Sequence, residues 1–276
     1  MAQTPDNVPA IPDYSRLLDG RVAAVTGGGR DGIGGAITEL FLQHGATVEI
    51  AEIDPARADV AGAHATVFDV RDVDAVNAWA ADVVERNGRV DILVNNVGDY
   101  RPLVRFEQSE PDNWGDMFDI NLRHFFAVTR AFLPAMVEQH HGVIVNVHSV
   151  EGLRGYPGEP VYGAFKAAVA KFTTDSAVRY GRHGIRVNGI GPDLTQTPQV
   201  DYLTSYEDLD HLWASWAPVG RLGWPEDQAR VALFLASDMS AFVTGHNIPV
   251  DGGTKAGGGW FFSPNERRFV NRPRGL

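Results

Sequence analysis

The chain has 276 residues and a mass of 30.0 kDa, with 44% hydrophobic and 21% charged residues. That balance excludes wholesale disorder and fits one large domain. It has no run of about 20 apolar residues, which excludes a helical membrane span. It has no cysteine, which excludes disulfides, thiolate catalysis and cysteine-ligated zinc. A net charge of −11 argues against nucleic acid as a partner.

The N-terminal stretch to Tyr14 is polar, carries three prolines and lacks a basic-then-apolar pattern. A cytoplasmic protein without an export signal is therefore expected. Residues 1–19 read as an extension. From Arg21 onward, short apolar β-branched runs alternate with stretches of helical period. Strands are predicted at Arg21–Thr26, Thr47–Ala51, Thr66–Phe68, Val90–Val94, Val143–Val147, Ile185–Ile190 and Asn247–Val250. Helices are predicted at Ile33–His44, Val73–Arg86, as one long element over Pro111–Gln139, and at Tyr162–Tyr180 and Pro225–Ala236. The alternation implies an α/β fold: a single doubly wound parallel-sheet (Rossmann-type) domain over residues 20–254, with helices on both faces. The irregular stretches Asp99–Phe106, Glu151–Pro160 and Asp193–Pro218 leave from strand carboxyl ends, where such sheets bind ligands.

The turn Thr26-Gly27-Gly28-Gly29-Arg30-Asp31-Gly32-Ile33-Gly34 joins the first strand to the first helix. Glycines there admit a pyrophosphate, which the helix N-terminus attracts. Glu52 closes the second strand, where an acceptor for a ribose hydroxyl belongs. Its carboxylate, with Asp31 in the turn, favours NAD over NADP. Arg30 opposes them through its capacity to pair with a 2′-phosphate, and no arginine directly follows Glu52. Tyr162 and Lys166 are four apart near a helix start, so they share a face. A tyrosine has an ordinary pKa of about 10, and an ammonium nearby favours its ionised form.

These pieces and their order resemble the short-chain dehydrogenase/reductase family from about Gly20 to Thr254. The resemblance rests on the glycine turn, Asn95-Asn96-Val97-Gly98, Asn121, Ser149, Tyr162-Gly163-Ala164-Phe165-Lys166 and Gly191-Pro192 with Thr195 and Thr197. It continues through Gly220–Glu226 and Val243–Gly253. It implies that Tyr162 is the general acid/base and that Lys166 lowers its pKa and holds the nicotinamide ribose. Ser149 would bond the substrate oxygen, and Asn121 would hold a water of the proton relay. Pro192, Thr195 and Thr197 would fix the carboxamide, Asp69 and Val70 would meet adenine, and Asn95, Val97 and Gly98 would line the adenosine side. Gly32 and Ile33 would sit at the pyrophosphate. A homotetramer is implied, and no metal.

The turn is one residue longer than the family's Thr-Gly-x-x-x-Gly-x-Gly; counting back from Gly34 makes Gly28 the close-approach glycine. Val97 replaces a usual alanine. Asp193, where glycine is usual, reads as an ordinary turn residue. His148, before Ser149, reads as a strand-end histidine held by hydrogen bonds rather than as a second base. Arg101 and Arg154 read as solvated rather than as anchors for an acidic substrate. Tyr100, Tyr156, Tyr202, Tyr206, Trp213 and Trp216 give the loops an aromatic character suited to a bulky ligand, or pack a lid. The last 22 residues hold five basic residues and one acid, leaving −15 on the rest. Residues 255–276, with Trp260, Phe261 and Phe262, are read as a tail that docks on the body or a neighbouring subunit, or frays.

The reading is an NAD-dependent oxidoreductase of a bulky cyclic or aromatic secondary alcohol or ketone. The alternatives are an NADPH-dependent 3-oxoacyl-thioester reductase and a non-catalytic dinucleotide-sensing module.

Overall fold

The computed structural model describes residues 14–203, 216–258, 261–263 and 268–270. The apolar runs become seven parallel strands: β1 (Val22–Thr26), β2 (Thr47–Glu52), β3 (His64–Val67), β4 (Ile92–Asn95), β5 (Gly142–Val147), β6 (Ile185–Pro192) and β7 (Asn247–Val250). Their order in the sheet is 3-2-1-4-5-6-7. Every residue of β1, β4 and β5 is buried, as strands covered on both faces must be. Helices α1 (Ile33–Gln43) and, late in the chain, α7 (Pro225–Ala236) cover one face through Ile37, Phe41, Ala229 and Leu233. Three helices cover the other: α3 (Val73–Asn87), α5 (His124–Gln139) and α6 (Pro160–Tyr180). There Trp79 meets Phe132 edge-on, with centroids 5.0 Å apart. Among the described residues no helix is long and apolar enough to cross a membrane.

A polar ladder crosses this second interface. Asn95 Nδ2 donates to Thr129 Oγ1 at 3.0 Å and to Asn146 Oδ1 at 2.9 Å, and Asn146 Nδ2 donates to Thr173 Oγ1 at 2.9 Å. Buried amides need such partners, and here they tie β4 and β5 to α5 and α6. The strand order reverses between β1 and β4. The loops from those two strands diverge and leave a crevice at their carboxyl ends.

Three elements depart from the sequence expectation. The long helix over Pro111–Gln139 is divided into α4 (Pro111–Phe118), a π turn (Asp119–Arg123) and α5. The π turn takes in one extra residue and shifts the apolar register, and such turns often mark functional sites. A short helix, α2 (Pro55–Ala58), follows β2, capped by Asp54, whose side chain accepts from Ala56 N at 2.9 Å. The third strand starts at His64, and Phe68 lies just past its end. Beyond Thr254 the chain forms α8 (Thr254–Gly257) and an antiparallel pair, β8 (Phe261–Ser263) and β9 (Arg268–Val270). Trp260 lies outside the described residues.

Candidate active site

A cavity of about 830 Å³ opens at the crevice. One end is the glycine turn. Asn96 holds it: its backbone N–H donates to Thr26 Oγ1 at 3.0 Å, and its Nδ2 donates to Thr26 O at 3.1 Å and Gly27 O at 3.2 Å. Gly27, with φ of +59°, lines the cavity with Asp31, Gly32, Ile33 and Gly34. Gly28 does not. A Cβ there would meet Ile50 Cγ2 at 2.6 Å and Thr38 Oγ1 at 2.9 Å, so it faces the packed interface of β2 and α1. Of the two, Gly27 therefore faces the cavity, and Asp31 in the same turn lies in the left-handed region at φ +64°. The N-cap of α1 is Gly32, and no side chain caps that helix. Its free amides, the glycine floor and the absence of an acid in its first turn fit a diphosphate.

Glu52 ends β2 at 4% exposure and lines the cavity. Its carboxylate accepts N–H bonds from Ile53 at 2.9 Å, Gly29 at 3.1 Å and Asp54 at 3.2 Å. Arg30 turns away from the cavity and pairs with Asp59 at 3.1 Å. Arg57 of α2, which the sequence reading passed over, lines the cavity beside Glu52 and Gly32.

The other end holds Ser149, Tyr162 and Lys166, all on the cavity wall. Ser149 caps the 3₁₀ turn Val150–Gly152, and its Oγ accepts from Glu151 N at 3.1 Å. That turn lies directly on α6: a Cβ on Gly152 would meet the Lys166 carbonyl carbon at 2.6 Å. The contact brings Ser149 to Tyr162, one helical turn before Lys166. Burial pushes the Tyr162 hydroxyl well above its ordinary value. The neighbouring Ser149 hydroxyl pulls the other way, while Glu151 and Asp99 add to the rise. In the free protein Tyr162 is thus a neutral phenol. The Lys166 ammonium lies 5.7 Å from the Tyr162 ring centroid. Burial lowers its pKa to about 8, against a small opposing pull from Asp99.

Asn121 sits in the π turn, 1% exposed. Its Nδ2 donates to Asp99 O at 2.7 Å and Met117 O at 3.1 Å, and its Oδ1 accepts from Asp99 N at 3.1 Å. It is set behind the cavity wall at Gly98. A Cβ on Gly98 would stand 3.0 Å from Asn121 Oδ1 and run into the Lys166 ammonium. Pro192, Thr195, Thr197, Val97 and Gly98 line the cavity. Asp69, Val70 and Asn95 do not. Asp69 is forked to Arg71, Val70 is in the core, and Asn95 is used by the ladder. Its neighbour Asn96 lines the cavity instead.

His148 is buried; its ring Nδ1 lies 3.0 Å from Ser149 O. Burial lowers its pKa to about 4, so it is neutral, and it lines the cavity beside Ser149. Asp193 and Arg154 depart from expectation. Each side chain is 7% exposed, and Arg154 Nη2 pairs with Asp193 at 3.2 Å and with Glu151 at 2.7 Å. Thr254 Oγ1 also donates to Asp193. This cluster joins the loop after β5, the loop after β6 and the start of α8, because a buried arginine demands carboxylate partners. Arg101 is held at the surface by Asp99 at 2.8 Å.

The wall near Tyr162 is aromatic. Tyr100 and Tyr156 meet its ring edge-on at 6.5 and 6.1 Å. Trp216 is buried on Ala217 and Leu222, which favours packing over a ligand contact. Tyr206, Trp213 and the side chain of Tyr202 lie outside the described residues.

A family model described as enoyl-(acyl carrier protein) reductase matches residues 28–255. The chain belongs to the short-chain dehydrogenase/reductase family. Its class is therefore oxidoreductase, with a nicotinamide dinucleotide as cofactor and a small molecule as substrate. A 3-oxoacyl-[acyl-carrier-protein] reductase of Thermotoga maritima is 39% identical over 86% of this chain and 98% of its own length. The oxidoreductase UcpA of Escherichia coli is 36% identical over 86% and 95%. A solved structure of gox2181 superposes with a TM-score of 0.82 at 34% identity, covering 88% of this chain and 98% of its own. One from Burkholderia xenovorans, assigned to the short-chain dehydrogenases/reductases, gives 0.80 at 37%, covering 87% and 98%.

Proposed function

We propose that the chain interconverts a secondary alcohol and a ketone with NAD(H), Tyr162 serving as the acid/base. The observation that carries this reading is a half-buried Tyr162 on the same cavity wall as Ser149 and the Lys166 ammonium, with Lys166 Nζ 5.7 Å from its ring centroid. A neutral phenol on the cavity wall is suited to give its proton to a ketone oxygen as that oxygen gains negative charge. Ser149 orients the same oxygen. Lys166 would hold the nicotinamide ribose and pass a proton toward Tyr162, and Asn121 would hold a water of that relay. The dinucleotide, when bound, supplies or accepts hydride at the substrate carbon. Gly27, Gly32 and Ile33 would cradle its diphosphate, and Pro192, Thr195 and Thr197 would hold the carboxamide.

Glu52 supports NAD. A carboxylate has about four lone-pair sites, so three backbone donors leave one for a ribose hydroxyl, whereas a 2′-phosphate would face a buried negative charge. The tyrosine walls and the apolar Leu103 support a bulky cyclic or aromatic substrate. A second reading is an NADPH-dependent reductase of 3-oxoacyl thioesters. It is favoured by the names of several relatives, and the same three residues serve a 3-oxo group equally well.

The test follows absorbance of the reduced cofactor with NADH and NADPH in parallel, against acetoacetyl-CoA and a series of cyclic and aryl ketones. Turnover of cyclic ketones with NADH is the expected result. Turnover confined to acetoacetyl-CoA with NADPH selects the second reading. In either case Tyr162→Phe should lower kcat by at least about 10²-fold while cofactor binding persists. Full activity in that variant would overturn the mechanism.

A further inference from the structure

The hydrogen bonds around the lengthened turn converge on one side chain that neither the fold nor the chemistry above has used. Arg57, half-buried in α2, donates from Nε to Arg30 O at 2.8 Å. Its Nη2 donates to the same oxygen at 2.7 Å and to Asp31 O at 3.2 Å. The backbone returns the bond, with Arg30 N donating to Arg57 O at 2.9 Å. Four hydrogen bonds thus join two turn residues to one residue of α2. Gly29 lies inside the clasp. Its N–H is spent on Glu52, and a Cβ there would meet Glu52 Oε2 at 2.5 Å and Arg57 O at 2.7 Å.

We infer that Arg57 is a positioning residue for the dinucleotide: it fixes the lengthened glycine turn and, through Gly29, the carboxylate of Glu52. This rests on the dinucleotide-binding reading above. The physical reason is electrostatic as well as geometric. The inserted residue brings one more backbone carbonyl into a turn that is to face a diphosphate, and a carbonyl oxygen aimed at an anion repels it. Arg57 takes up the carbonyls of Arg30 and Asp31 and so turns them toward α2. It also fixes Asp31 in its left-handed conformation and adds a positive charge to the cavity wall. Arg30 cannot substitute, because its guanidinium is paired with Asp59. A lysine at position 57 would keep the charge but lose the planar fork that spans two carbonyls.

Calorimetric titration with ADP-ribose and with NAD⁺ tests the inference on the wild-type protein, Arg57→Ala, Arg57→Lys and Gly29→Ala. Thermal melts report whether each variant is folded. Wild-type binding is expected. Arg57→Ala should weaken both ligands by about tenfold or more, Gly29→Ala should do the same, and Arg57→Lys should recover little. In turnover assays the loss in Arg57→Ala should appear chiefly as a raised KM for the dinucleotide, with a smaller fall in kcat, since Tyr162 and Ser149 are untouched. Unchanged affinity in Arg57→Ala, or full recovery in Arg57→Lys, overturns the inference while leaving the dinucleotide reading intact. No binding by the wild-type protein overturns both.

Discussion

Lys166 is held in its site against its own solvation, and removing it should stabilise the fold. Burial lowers its pKa from an ordinary 10.5 to about 8, so the folded protein binds that proton less readily than the unfolded chain does. Each pKa unit corresponds to about 1.4 kcal/mol, which gives a destabilisation of about 3 kcal/mol when the ammonium is charged in both states. The sign follows from proton counts. Below pH 8 lysine is charged in both states and the full penalty applies. Between 8 and 10.5 only the unfolded chain keeps the proton, so stability rises with pH and the penalty fades. Above 10.5 it is gone. Lys166→Met, which fills similar volume without charge, should therefore melt higher than wild type at pH 7 by about 6–12 °C. The assay is a calorimetric melt of both proteins without dinucleotide from pH 6 to 11, with activity measured alongside. The variant should be inactive and more stable, and its advantage should shrink to nothing by about pH 11. A variant less stable than wild type at pH 7, or an advantage constant across that range, would refute the reasoning.

Other outcomes follow from the same geometry. Arg154→Met leaves the Glu151 and Asp193 carboxylates without their shared cation and should cost about 3–5 kcal/mol in a denaturant titration. Adding Asp193→Asn should recover part of that loss, and strict additivity of the two changes would argue against coupling. Burial already raises the Asp193 carboxyl, so the deficit of Arg154→Met should narrow as the titration is repeated at progressively lower pH, where protonation relieves the buried charge. Gly98→Ala drives a methyl group into the space held by the Lys166 ammonium and Asn121 Oδ1. It should lower kcat by about 10²-fold or more with little change in melting temperature, and near-normal turnover would show that Lys166 does not need that position.

The architecture was legible because its signals are local. Strands covered on both faces leave unbroken apolar runs such as Val22–Thr26, and amphipathic helices leave a 3.6-residue period. Tyr162 and Lys166 were legible for the same reason, since a spacing of four on a helix fixes their common face. What the sequence hid was long-range or set by backbone direction. The π turn adds a residue that apolar periodicity cannot register, yet it carries Asn121. Asn95 and Asn96 are adjacent, and only strand pleat decides that the first joins the ladder while the second lines the cavity. Two of the departures from the family pattern are the most instructive. The extra turn residue and the aspartate at 193 each looked like an isolated local change. In space each has an arginine partner far along the chain, Arg57 for the turn and Arg154, 39 residues away, for Asp193. A buried carboxylate or an added carbonyl at a ligand-binding edge costs free energy unless a cation meets it. Each departure therefore implied a compensating residue elsewhere, and the search for that residue is what turns an anomaly in a motif into a testable role.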